Sequence, residues 1–122
     1  MVEVTSSVPS GRQVVEAYGG GGFRVSGTAY RGSVLVTPDA SFCWPVSGFD
    51  ALAPESFQPF LSELAEIEIL LLGCGAKLLP VSKTLRAAGP VLEPMDTGAA
   101  CRTYNVLLAE ERRVAAALIA VE

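Results

Sequence analysis

Histidine is absent from this 122-residue chain. With it go the Ser-His-Asp and Cys-His nucleophile pairs, the mixed zinc sites and the commonest general base, so any catalysis falls to Cys, Asp, Glu, Lys, Arg or Tyr. Cysteine is scarce. Cys43, Cys74 and Cys101 are odd in number and without C-x-x-C spacing, which argues against a disulfide framework or a metal knuckle and fits a reducing cytoplasm. Positive charge is also short: nine basic side chains against thirteen acidic leave a net charge of −4. Such a chain offers phosphates no cationic footprint, and no nucleic-acid partner is expected. The longest apolar run, Val114 to Val121, falls well short of the roughly 20 residues needed to span a bilayer. Residues 1–13 are polar, carry Glu3 and lack both a basic n-region and an apolar h-region. They read as a loosely ordered segment rather than a signal or transit peptide.

What is present is apolar: 50% of the residues, enough for one domain over 1–122 with a single core. Its first half predicts a β-meander, with strands at Val14-Val15, Phe23-Arg24-Val25, Ser33 to Thr37 and Phe42-Cys43-Trp44, punctuated by glycines and Pro38-Asp39. A helical period follows. Phe57, Phe60, Leu61, Leu64 and Ala65 form one stripe, with Ser56 as the N-cap. Ile67 to Leu72 is a nearly unbroken apolar run, typical of a strand covered on both faces, and reads as the central strand. Next come a two-turn helix near Val81 to Ala88, a strand ending at Met95, a helix from Thr97 to about Ala109 and a last strand over Arg113 to Val121. This alternation implies an α/β fold in which a mixed central sheet is layered with helices behind the N-terminal β-meander.

The most polar junction in the chain is Glu93-Pro94-Met95-Asp96-Thr97-Gly98-Ala99-Ala100-Cys101-Arg102. There a strand ends and a helix begins. Asp96 or Thr97 can cap the helix, Gly98 and two alanines leave its first turn unshielded, and Arg102 follows one turn later, an arrangement receptive to an anion. Gly73-Cys74-Gly75 ends the neighbouring strand, and in open α/β sheets ligands bind outside such strand ends. The candidate pocket is therefore Gly73, Cys74, Gly75, Asp96, Thr97 and Arg102. In it Cys74 would be a nucleophile, Arg102 would hold a carboxylate or phosphate, and Glu93 or Asp96 would move protons. Each residue also has a structural reading. Cys74 is a small residue at a sharp turn, Asp96 and Thr97 are helix caps, and Cys101 shares a core-facing stripe with Tyr104 and Leu108. Arg102, Asn105 and Ala109 fall on the other side of that helix. Trp44 is either a core side chain or a partner anchor. Gly19-Gly20-Gly21-Gly22 has no Lys-Ser/Thr after it and no G-x-G-x-x-G register, so it reads as a strand turn rather than a phosphate loop. Nothing calls for a cofactor or a metal.

Taken together, several segments resemble a small domain-of-unknown-function family. Its members include an archaeal Mth-type protein, the third assembly factor of mitochondrial respiratory complex I and an adipogenesis-associated protein. The segments are Tyr18-Gly19 with Gly21-Gly22-Phe23-Arg24-Val25, Tyr30 with Gly32-Ser33, Trp44, Leu72-Gly73-Cys74-Gly75, Pro80, Glu93 to Thr97, and Ala100 to Asn105. The resemblance implies layered β and α elements on a mixed central sheet and no established catalytic activity. For the mitochondrial member it implies assembly work through protein contacts. The reading favoured is a non-enzymatic, cytoplasmic interaction domain with a protein partner. The alternative is a small-anion binder or enzyme using Cys74, Asp96, Thr97 and Arg102.

Overall fold

The computed structural model describes residues 1–4, 11–87 and 90–122. Strands β2 (Val15–Gly19) and β3 (Gly22–Val25) meet across Gly20-Gly21, both at positive φ, 62° and 81°. A two-residue type I′ turn requires that conformation at both positions. The four-glycine run is thus a hairpin turn. A Cβ on Gly22 would collide with the carbonyl of Tyr30, so no larger residue fits there. Ser26-Gly27, also at positive φ, makes a second tight turn into β4 (Thr28–Arg31), a strand the sequence pattern conceals because most of it is exposed. On the other side of β2 lies β1 (Val2–Glu3), which gives order to part of the supposedly loose N-terminal segment. Residues 5–10 of that segment lie outside the described residues.

The expected meander is divided between two sheets. After Gly32-Ser33, β5 (Val34–Val36) and β6 (Ser41–Cys43) join β7 (Ile69–Gly73), β8 (Val91–Met95) and β9 (Val114–Leu118) in the order β6-β5-β9-β7-β8. β5 is antiparallel to β6 and β9, and β7 is parallel to β8 and β9. The sheet is therefore mixed, as expected. Its centre, however, is β9 and not the Ile-Leu-rich β7. All five residues of β9, Val-Ala-Ala-Ala-Leu, are buried. Alanines suit a strand approached closely from both faces, and they carry less hydropathy than leucines, which is why the pattern pointed one strand over.

Alternate side chains of this sheet feed two cores. On one face Leu71, Ala116 and Leu118 pack with Cys101, Tyr104 and Leu108 of α3 (Thr97–Ala109) and with Val15, Phe23 and Val25 of the first sheet. On the other face Leu70, Leu72, Cys74 and Ala117 pack with Trp44, Phe57, Phe60, Leu64 and Leu85. The segment covering that second face is a 3-10 helix over Pro54–Phe60 running into a single α turn, α1 (Leu61–Leu64). Pro59 inside it, which lacks an N–H, keeps it from being one longer α-helix, while Pro54 stands at its first position, where proline is tolerated. Ser56 is not its N-cap: it sits in the first turn, and its Oγ accepts from the Ala53 N–H at 3.1 Å. Leu61 and Ala65, expected in the buried stripe, are exposed. The helix expected over Val81 to Ala88 is shorter, α2 (Lys83–Arg86), capped by Ser82, whose Oγ accepts from the Leu85 N–H; residues 88 and 89 lie outside the described residues.

Candidate functional site

Asp96 ends β8 and caps α3, its Oδ1 accepting from the Ala99 N–H at 2.9 Å. The next residue reaches in the other direction. Thr97 is fully buried; its hydroxyl donates to the carbonyl of Ile119 at 2.7 Å and accepts from the Gly75 N–H at 3.0 Å, and its own N–H donates to the Gly75 carbonyl at 2.8 Å. Thr97 thereby ties the ends of β7 and β9 to the start of α3. Gly73 permits that tie, since a Cβ there would lie 2.9 Å from Thr97 Oγ1. The structure thus brings Gly73, Gly75, Asp96 and Thr97 together at the C-terminal ends of β7 and β8. Their polar atoms are joined to one another and to the backbone.

Cys74 and Arg102 go elsewhere. Because successive strand residues face opposite ways, Cys74 turns away from α3 into the core beneath Trp44. Its Sγ lies 3.8 Å from the Leu72 carbonyl and 4.0 Å from that of Leu79. Arg102 lies exposed on the flank of α3. The side chain and the helix are on opposite faces of the sheet, so Arg102 does not act on the Cys74 thiol.

The first turn of α3 is not left open. Gly98 is buried, and a Cβ there would stand 2.5 Å from the hydroxyl of Tyr18 and 3.3 Å from Arg102 Nη1. Glycine lets the Tyr18 side chain of the first sheet lie against the helix, and a larger residue would displace it. Asn105 is likewise not on the outer face with Arg102. Its Nδ2 donates to the Val15 carbonyl at 2.8 Å and its Oδ1 accepts from the Val15 N–H at 3.1 Å. This side chain serves as a strand partner for β2 where the register with β3 shifts between Val15 and Ala17. The preceding residue, Tyr104, donates its hydroxyl to the Gln13 carbonyl at 2.8 Å. These ties are invisible to sequence pattern, because a partner for Asn105 90 residues away has no local signature.

Electrostatics follow burial. Cys101, wholly covered, has its thiol pushed up from 9.0 to about 12 by desolvation, against the lowering effect of Arg102. Tyr104 is raised too, again chiefly by burial. Neither is poised as a base or nucleophile near neutrality. Trp44 is a core side chain: its Nε1 donates to the Ser56 carbonyl at 2.8 Å and its ring stacks on Phe57 at 5.5 Å. Among the described residues no three of His, Cys, Asp and Glu gather as metal ligands.

Two clefts among the described residues are lined by none of Gly73, Cys74, Gly75, Asp96, Thr97 and Arg102. An open cleft of about 620 Å³ runs between residues 31–33 and 43–47, with Arg31 on one wall and the exposed Cys43 on the other. A smaller one, about 350 Å³, is lined by Leu78, Pro80, Arg86 and Pro94.

Residues 15–119 match the family described as protein of unknown function, DUF498/DUF598. The chain belongs to this family. An uncharacterized family relative from Rhodobacter capsulatus is 41% identical over 115 residues, 90% of this chain and 86% of that one. NADH dehydrogenase [ubiquinone] 1 alpha subcomplex assembly factor 3 of Danio rerio is 34% identical over 122 residues, covering 97% of this chain and 70% of that protein. The human assembly factor 3 is 30% identical, and the match spans 59% of its length. Among solved structures, a Bartonella henselae chain titled an outer membrane protein superposes with a TM-score of 0.82 at 41% identity, over 95% of this chain and all of that one. A Bordetella pertussis Mth938-like domain superposes with a TM-score of 0.78 at 27% identity, over 97% and 92%. The family and the layered α/β fold are those the sequence resemblance implied.

Proposed function

We propose that this protein is a non-enzymatic interaction domain, acting as one unit over residues 1–122, that assists assembly of an NADH dehydrogenase through protein contacts. The observation that carries the reading is similarity to assembly factor 3 along 97% of the chain. The use of the polar junction supports it. Thr97, Gly98, Cys101, Tyr104 and Asn105 of the most distinctive motif are buried and hold α3 to both sheets, so the motif is accounted for by the scaffold. No helix among the described residues is long and apolar enough to cross a membrane. Free thiols at Cys43, Cys74 and Cys101 suit a reducing cytoplasmic setting.

Deletion of the gene in the organism that carries it, followed by native electrophoresis of its NADH dehydrogenase, tests the proposal. Loss of the full-size complex, accumulation of subassemblies and recovery with a plasmid copy are expected. Normal amounts of the complete enzyme in the deletion strain would overturn it.

A further inference from the structure

Strand β4 closes one end of the first sheet, and its outer edge has no partner strand among the described residues. Antiparallel pairing fixes which backbone groups lie on that edge. The Gly32 N–H donates to the Gly21 carbonyl at 2.8 Å, so with the register Phe23↔Tyr30 and Val25↔Thr28 it is Gly32, Tyr30 and Thr28 whose N–H and C=O face β3. Ala29 and Arg31 therefore turn theirs outward. The same construction applies to β6, where Trp44 donates to the Ser33 carbonyl and Thr37 to that of Ala40. Cys43 thus presents its backbone to the open side there. The β4 edge ends at Arg31 and the β6 edge at Cys43, and these two residues stand on the walls of the 620 Å³ cleft. Two free sheet edges converge on one concavity.

Its charge is one-sided. Among the described residues Arg31 is the only charged one lining the cleft, it is exposed, and, like Arg86, Arg102 and Arg113 but unlike Arg12, Arg24 and Arg112, it makes no ion pair. In a chain of net charge −4, a lone cation beside open backbone donors selects an acidic partner. A second copy pairing edge to edge would bring the same arginine to the same place. We propose that β4 and the adjoining cleft take up an extended acidic segment of another protein, added as a fifth strand beyond β4 with a carboxylate on Arg31. This deepens the assembly-factor reading by naming a contact surface and the partner's chemistry. Main-chain bonds to Ala29 and Arg31 supply the attachment, and the carboxylate supplies the selection.

A peptide titration tests this without reference to any assembly role, so its failure is separable from that of the deletion experiment. The probe is a blocked pentapeptide, threonine-valine-glutamate-valine-threonine, with glutamine and lysine analogues at the centre, added to isotope-labelled protein. Saturable amide shifts at Ala29 and Arg31 are expected, together with slowed hydrogen exchange at these two amides, which donate to no backbone carbonyl among the described residues. Arg31→Glu should weaken the glutamate peptide about fivefold or more and favour the lysine analogue, reflecting an exposed charge pair turned repulsive. Ala29→Pro, which removes an outward donor without breaking a β3 bond, should abolish the exchange protection at Arg31. The inference is overturned if the shifts map away from β4, if the three peptides bind alike, or if sedimentation shows the free protein self-associating through this edge. Folding of each variant is checked by its amide spectrum, and Arg31→Glu decides the matter alone if Ala29→Pro does not fold.

Discussion

Replacing Asn105 with alanine should be the most damaging polar substitution in α3. Asn105 is 3% exposed and its backbone partner Val15 is 0% exposed, so water does not reach the N–H and C=O that the amide now satisfies at 3.1 and 2.8 Å. An orphaned buried polar group costs about 1–3 kcal/mol. Two of them, partly relieved by shifts in β2, cost about 3 kcal/mol. That is a large part of the roughly 5–15 kcal/mol by which a domain is folded. At about 3–6 °C per kcal/mol for a chain of this size, melting should fall by about 10 °C or more. Urea unfolding followed by circular dichroism reads the same loss as a lower midpoint with an unchanged slope. Asn105→Asp should be at least as harmful near neutrality, because a carboxylate gives the Val15 carbonyl no donor and is itself buried charged. A loss below about 1 kcal/mol for Asn105→Ala would refute the claim that this side chain is the strand partner joining α3 to the first sheet.

Two further predictions concern charge and thiols. Arg102→Ala should change stability by no more than about 0.5 kcal/mol, as expected for an exposed helix residue. Thermal melts in phosphate, sulfate and small carboxylates should then move the parent and Arg102→Ala equally; a shift specific to the parent would revive the anion-binding alternative. Alkylation at pH 8 should modify Cys43 alone, with Cys74 and Cys101 reacting only on unfolding, as read by mass spectrometry; rapid labelling at Cys101 would contradict its burial. Cys101 also dictates an alkaline trend. Its folded value, about 12, lies above its ordinary 9.0, so between those limits the unfolded chain binds fewer protons than the folded one. Stability should therefore be fully present below about pH 9 and fall as pH rises toward 12, with Tyr104 shifted in the same direction. Cys101→Ala should lessen that decline in urea midpoints measured across the window.

Local chemistry was legible in the chain wherever neighbours in sequence are also neighbours in space. The glycine turn before Phe23, the Asp96 cap, the span of α3 and the Cys101-Tyr104-Leu108 stripe all depend on contacts a few residues apart, and the structure bears them out. Hydrophobic run and alternation also implied a mixed sheet containing β7, β8 and β9. What pattern alone could not decide was which strands share which sheet and which is central, because β4 is exposed and the alanines of β9 carry less hydropathy than the leucines of β7. The fates of the polar residues were decided later still. Thr97 bonds to Ile119, Gly98 admits Tyr18 and Asn105 pairs with Val15, across separations that only the packed layers close. Cys74 and Arg102 seemed neighbours when strand ends were considered, but a strand's two-residue alternation sends the thiol to the face opposite the helix that carries the arginine. Residue types and short spacings determined most of the elements and the family; the stacking of two sheets against α3 decided which polar groups became scaffold and left the β4 edge without a partner strand among the described residues.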